Sequence, residues 1–158
     1  MKNARMFLWV ALIVGIGQFA IGQDSPEKQK EQQRRDKLHI AVQNICPTSG
    51  QKLGAHGQPI KVKVGKETVF LCCKGCLKKK INPKHWATIH ANSAKAQRIC
   101  PVMKHELPKK PKWTVVEGQI VYVCCPPCTK KIAADPETYL QKVDELYVAS
   151  LKARKTQR

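Results

Sequence analysis

Thr68-Val69-Phe70-Leu71-Cys72-Cys73-Lys74-Gly75-Cys76 and Gln119-Ile120-Val121-Tyr122-Val123-Cys124-Cys125-Pro126-Pro127-Cys128 are two versions of one segment. Each is a run of β-branched and aromatic residues that ends in Cys-Cys-x-x-Cys. The match continues outward in both directions. Upstream lie Gln43-Asn44-Ile45-Cys46-Pro47 and Gln97-Arg98-Ile99-Cys100-Pro101, then a leucine (Leu53, Leu107) and a glycine (Gly65, Gly118). Downstream lie Asn82-Pro83 with Trp86 and Asp135-Pro136 with Tyr139. The same features in the same order, about 54 residues apart, mark a duplicated unit.

Periodicity gives the unit its local structure. Ile60, Val62 and Val64 alternate with Lys61 and Lys63, the pattern of a half-buried strand. Gly65-Lys66-Glu67 supplies a turn, and Thr68 to Cys72 returns as a strand. Copy two repeats this with Trp113 to Val116, Glu117-Gly118 and Gln119 to Cys124. A helix is expected from near each final cysteine or from Asn82-Pro83 and Asp135-Pro136, where an Asx cap precedes a proline. Tyr139, Leu140, Val143, Leu146, Tyr147 and Leu151 recur at helical spacing, so Asp135 to about Ala153 reads as one amphipathic helix. The fold class is therefore α+β: two small modules of β-hairpin plus helix, each with a cysteine site. Their expected limits are 43–96 and 97–153, with 154–158 as a basic tail. Units of about 45 residues rarely fold on an apolar core alone, so part of the cysteine chemistry is expected to be structural, with metal removal unfolding the modules and module one the more dependent.

The candidate metal ligands are Cys46, Cys72, Cys73 and Cys76 in copy one and Cys100, Cys124, Cys125 and Cys128 in copy two. A distant first cysteine and a cluster closed by a hairpin bring three or four sulfurs to one point. Sulfur-rich tetrahedral sites suit zinc, and thiolates also suit Cu(I). A final cysteine at a helix mouth gains from the positive helix end, and Lys74, Lys78, Lys79, Lys130 and Lys131 further favour thiolate. Neighbouring strand residues point to opposite faces, so Cys72 and Cys73 have different roles, as do Cys124 and Cys125. Either Cys72 with Cys76 or Cys73 with Cys76 forms the local pair.

The pattern resembles the TRASH and YHS families of small metal-binding, treble-clef-like modules. Their first cysteine lies near a proline or glycine, as in Cys46-Pro47 and Cys100-Pro101. Their second cluster is matched by Leu71-Cys72-Cys73-Lys74-Gly75-Cys76 and Val123-Cys124-Cys125-Pro126-Pro127-Cys128, and their helix by Asp135-Pro136-Glu137-Thr138-Tyr139. The resemblance covers roughly residues 43 to 147. It implies Cys46, Cys72 and Cys76 as ligands in copy one and Cys100, Cys124 and Cys128 in copy two. It also implies heavy-metal binding, sensing or trafficking with no catalysis. The chain departs from the families at Lys80 and Ile132, where a phenylalanine is common, and in the additional Cys73 and Cys125, which can supply a fourth sulfur.

His105 and Met103 follow Cys100 closely enough to add an imidazole or thioether, which would favour copper, but copy one has Gln51 and Ser49 there. Solvated loop residues are the expectation. His56, His85 and His90 lack counterparts in copy two and read as surface residues, while Phe70, Tyr122, Trp86 and Tyr139 read as core.

The first 22 residues read as a secretory signal peptide: Lys2 and Arg5, the apolar run Met6 to Ala20, then Ala20-Ile21-Gly22. The run is short for a span, though a retained anchor is the alternative, and no cysteine follows to carry a lipid. Residues 23–42, rich in Gln, Glu, Lys and Arg, read as a charged linker, a tether for which a frayed helix is the alternative form. Export makes the expected location periplasmic or secreted, and the expected partner an exported or membrane metal-handling protein. The net charge of +18 attracts anionic surfaces. The lysines are spread over both halves without a nucleic-acid motif, so nucleic acid is not expected as a partner. Two other functions compete: a disulfide-stapled interaction module, favoured by export, and a thiol–disulfide oxidoreductase using Cys125-Pro126-Pro127-Cys128.

Overall fold

A computed structural model of the chain describes residues 25–157; the segment read as a signal peptide lies outside the described residues. The α+β expectation holds. Strand β1 (Ile60–Val64) pairs antiparallel with β2 (Glu67–Leu71), Ile60 opposite Leu71 and Val64 opposite Glu67. Strand β3 (Lys112–Val116) pairs with β4 (Gln119–Val123) in the equivalent register. Each is a separate two-stranded sheet. The turn of the second hairpin holds Glu117 and Gly118 at φ 50° and 84°, the left-handed pair that matches strand twist. Gly118 is also required sterically, because a Cβ there would collide with Thr68 Oγ1. At this point the two hairpins meet, with Thr68 N–H donating to the Gly118 carbonyl at 2.7 Å.

The outer strand β1 keeps the alternation read from sequence, its lysines exposed. In the return strands Val69, Phe70 and Leu71, and likewise Ile120 to Val123, are buried on both faces. The helices cover them. Helix α2 (Pro83–Gln97) starts at Asn82, whose side chain accepts from Lys84 N–H, and helix α4 (Pro136–Thr156) starts at Asp135, whose side chain accepts from Thr138 N–H. A short helix α3 (Pro127–Ala134) follows the second cysteine cluster, whereas the first is followed by a single 3-10 stretch, Lys74–Lys78.

Two expectations are corrected. The expected charged linker is largely helix: α1 spans Pro26–Gln43 and packs on both α2 and α4. Its polar residues are satisfied by tertiary partners. Arg35 Nε lies 2.7 Å and His39 Nε2 2.9 Å from the Asp144 carboxylate on α4, and Lys61 bonds Asp36. Burial would raise the Asp144 carboxyl, but the bonds from His39 and Arg35 outweigh it and hold it below the usual range. The expected basic tail is helical as well, since α4 continues to Thr156.

Helix α1 also reveals a longer repeat. Each Gln-x-Ile-Cys-Pro segment is the end of a helix, α1 or α2, followed by a left-handed residue, Asn44 at φ 68° or Arg98 at φ 53°. The glutamine side chain is buried and reaches the return strand. Gln43 Nε2 donates to the Phe70 carbonyl at 2.7 Å and to the Ile45 carbonyl at 2.9 Å, while its Oε1 accepts from Phe70 N–H at 2.8 Å. Gln97 makes the same three bonds with Tyr122 and Ile99. The core falls into two clusters. One joins Val42, Ala96, Val121, Val123, Ile132, Leu140, Val143 and Tyr147 with Cys100 and Cys128. The other, smaller, is Leu53, Phe70 and Leu71 around Cys46, Cys72 and Cys76. The larger cluster draws on α1 and α2 as well as copy two, so the two copies share their apolar interior.

Replacing Gln97 by Ala strands the Tyr122 N–H and two carbonyls, one of them in a buried position. The expected cost is about 2–4 kcal/mol in urea unfolding, against less than about 0.5 kcal/mol for Gln141→Ala on the exposed face of α4. A loss below about 1 kcal/mol would mean that solvent replaces the clamp.

Candidate metal centre

The first centre is assembled from a loop and a strand end. Cys46 leaves α1 through the left-handed Asn44, and its N–H donates to the Gln51 carbonyl while its carbonyl accepts from Gly50 N–H. Position 50 requires a left-handed backbone, φ 71°, which glycine supplies. Cys72 follows β2, and Cys76 sits in the 3-10 stretch beyond it. The sulfurs of Cys46, Cys72 and Cys76 all lie within 4.8 Å of one another, and all three residues are buried. Cys72 and Cys76 are 3.5 Å apart. Cys73 is exposed, yet its sulfur lies 3.9 Å from Cys72 and 4.0 Å from Cys76.

The second centre repeats this construction. Cys100 N–H donates to the His105 carbonyl, and the Cys100 carbonyl accepts from Lys104 N–H, with Lys104 at φ 58° in the place of Gly50. Cys100, Cys124 and Cys128 lie within 4.8 Å of one another. The Cys100–Cys128 and Cys124–Cys128 separations are 3.8 and 3.9 Å. Two thiolates on one tetrahedral ion with bonds of about 2.3 Å stand roughly 3.8 Å apart, so the spacing and the all-sulfur donor set fit a thiophilic ion in both places. The centres differ at the fourth cysteine. Cys125 lies 2.9 Å from Cys128, closer than two sulfurs on one such ion stand. All eight thiols are free in this structure.

The thiols are poised unequally. Burial opposes ionisation of Cys46, but the Ser49 hydroxyl and the N–H groups of Ser49, Cys72 and Thr48 prevail and lower it from 9.0 to about 6. Cys100 is lowered for the same reason, against burial, by the N–H groups of Met103, Cys124 and Val102. The final cysteines go the other way. Burial and the neighbouring sulfurs push Cys76 up to about 12 and raise Cys128. The expected gain from a helix mouth is thus outweighed at Cys76 and Cys128. The fourth cysteines, Cys73 and Cys125, are lowered as well, Cys73 by the N–H groups of Gly75 and Cys76 and Cys125 by its contact with Cys128. Each metal-free centre thus pairs favoured thiolates with a final cysteine that holds its proton, so a cation binding that sulfur displaces a proton.

Met103 contributes its backbone N–H to Cys100, while its side chain is 45% exposed and His105 points to solvent, neither joining the sulfurs as a side chain. The view of His90 as a surface residue is corrected: its ring is packed against Trp86, Trp113 and Tyr122, its Nδ1 is 3.0 Å from the Tyr122 hydroxyl, and its Nε2 is 3.3 Å from Glu67. Trp86 and Tyr139, read as core, are half-buried. Two kinds of positioning residue escaped the sequence reading. Ser49 Oγ lies 3.3 Å from the Cys72 sulfur and assists Cys46; nothing in the sequence marks it. Gln43 and Gln97 were visible as a repeated letter, which was the available signal. Comparison with family models, curated proteins and solved structures gave no match.

Because the Cys46 pKa is lowered on folding, its contribution to stability is full above pH 9.0 and is lost as the pH falls through about 6. Ser49→Ala removes one of the groups that lower it. The ultraviolet thiolate absorbance of reduced, metal-free protein is therefore expected to show its lowest titration step moved upward in Ser49→Ala. An unchanged step would mean that the backbone N–H groups alone hold the thiolate.

Proposed function

We propose that the chain is an exported, non-catalytic protein that binds one thiophilic metal ion in each of two cysteine centres, zinc in the first instance and Cu(I) as the other candidate. The single observation that carries this reading is the paired convergence of Cys46, Cys72 and Cys76 and of Cys100, Cys124 and Cys128 at the spacing of ligands on one ion. The fourth donor is Cys73 or Cys125, or an exogenous group. This is the chemistry of the treble-clef-like TRASH and YHS modules that the motifs resemble, and it supports storage or transfer of metal to an exported or membrane partner. The basic n-region and apolar run at residues 1–22 support export. Among the described residues no helix is long and apolar enough to cross a membrane.

Protein purified anaerobically with reductant is expected to hold about one zinc ion per centre by elemental analysis, as closed four-ligand sites do. Cys76→Ser or Cys128→Ser should each remove about one ion, while His105→Ala should remove none. Metal-free preparations in which mass spectrometry finds four disulfides would instead support the stapled module.

Chelation tests how far folding rests on the metal. Helices α1, α2 and α4 share one apolar cluster with copy two, whereas the cluster of copy one is small and half sulfur. Circular dichroism of the reduced, metal-free protein is expected to retain most helix signal, with hydrogen-exchange protection lost first at residues 46–53 and 67–78. Cooperative loss of all helix on chelation would show that metal binding is the folding free energy of the whole chain.

A further inference from the structure

Helix α2 has two apolar faces, and the fold uses one. Ile89, Ser93, Ala96 and Gln97 are buried against the interior. On the adjoining flank, about a quarter-turn away, Pro83, Trp86, Ala87, His90, Ala91 and Ala94 follow one another at helical spacing and line a groove of about 850 Å³. Its far wall is Trp113 and Tyr122 of the second hairpin, and Val64 of the first closes one end. Trp113 is 55% exposed, the most exposed large apolar side chain among the described residues. A soluble helix ordinarily turns polar residues outward, and exposed apolar surface with polar margins marks a binding face.

The groove is tied to its helix and polarised. His90 is fixed by its contacts with both tryptophans and by two bonds to the Tyr122 hydroxyl, one from its ring and one at its carbonyl, so the aromatic wall is anchored to the α2 backbone. The floor is shallow, because Ala87, Ala91 and Ala94 have only methyl groups. From Pro83 to Ala94 it runs about 17 Å, three helical turns. Lys109 and Lys110 stand at the Ala94 end, and no carboxylate lines the groove. An alanine floor between tryptophan walls admits a helix backbone closely, as in helix-in-groove recognition. The cationic end and the strongly basic chain select an acidic occupant, and a second copy, equally basic, is repelled.

We propose that this groove docks an acidic amphipathic helix of a partner protein, about three turns long, with aliphatic anchors against Trp86 and Trp113 and carboxylates facing Lys109 and Lys110. The site is separate from both cysteine centres and stands whether or not they hold metal. Tyr122 of β4 lies two residues before Cys124, which follows the strand, so a docked helix would sit near the second centre.

The test uses the full chain and a designed amphipathic peptide of about 15 residues, leucine on one face and glutamate on the other, followed by tryptophan fluorescence. Saturable micromolar binding is expected. It should weaken about tenfold or more in Trp113→Ala and in the Lys109→Glu, Lys110→Glu double variant, and a lysine-for-glutamate peptide should not bind. Ala91→Leu, an exposed substitution that leaves the interior untouched, should block the groove. Four results overturn the proposal: no saturation at millimolar peptide, equal affinity for the lysine peptide, wild-type affinity in both Trp113→Ala and Ala91→Leu, or self-association by sedimentation that these variants abolish. The last would give the groove to a second copy. Binding to anionic vesicles that competes with the glutamate peptide would likewise reassign it to a lipid surface.

Discussion

The buried amide of Gln43, and of Gln97 in the second copy, is the constraint on which the cysteine geometry rests. Three sulfurs must meet, and they arrive from two chain segments that share no strand pairing. The first cysteine follows a helix, and the other two follow a hairpin. One side-chain amide, donating and accepting on the return strand while donating to the carbonyl just beyond its own helix, locks the two segments in register. Two residues after Phe70 comes Cys72, and two after Tyr122 comes Cys124. Three residues after each glutamine comes Cys46 or Cys100. Short chain on both sides of a fixed clamp leaves the sulfurs little freedom to miss one another.

That arrangement also explains why neither copy is a self-sufficient unit. Each return strand is buried on both faces, which a lone two-stranded hairpin cannot achieve. The cover comes from neighbouring repeats: α1 lies over α2 and α4, and the two hairpins touch at Thr68 and Gly118. Helix α2, between the two cysteine centres, serves both sides, closing one unit and opening the next, so the chain behaves as a short repeat array with α1 and α4 as its ends. Stability is then unevenly spread. The second centre is embedded in the larger cluster, with Val143 and Ile132 fully buried beside its sulfurs, whereas the first draws its enclosure mainly from Leu53, Phe70 and Leu71.

The hairpins and the cysteine clusters were legible because each depends on neighbouring residues. Alternating Ile60, Val62 and Val64, a glycine turn and a β-branched return run specify a strand pair without reference to anything distant. The extent and packing of helix α1 were hidden because its apolar residues, Leu38, Ile40 and Val42, crowd its last turns, while what fixes its middle is the bonding of Arg35 and His39 to Asp144 more than a hundred positions away. The same holds for His90, whose aromatic partners come from both copies and cannot be inferred from a residue without an equivalent in the repeat. The different burial of Cys72 and Cys73 followed from strand geometry, but the proximity of Cys73 to the other sulfurs did not. It arises because the chain leaves the strand after Leu71 and folds back through the 3-10 stretch.

The difference between the two centres is a consequence of that last turn. In copy one, Lys74-Gly75 opens a 3-10 stretch that runs through Lys78 before α2 begins after Asn82, and Cys73 stays at least 3.9 Å from both neighbouring sulfurs. In copy two, Pro126-Pro127 presets the backbone for helix, and α3 starts at once with Cys128 in its first turn. There Cys125, just before the helix, lies 2.9 Å from Cys128. The spacing of the first three sulfurs is nevertheless kept in both. A duplicated scaffold has thus held constant the three positions that the clamp controls and varied the fourth, which lies beyond its reach. The two centres thus differ both in the pair inside Cys-x-x-Cys, Lys74-Gly75 against Pro126-Pro127, and in the distance from the fourth sulfur to the last one, 4.0 against 2.9 Å.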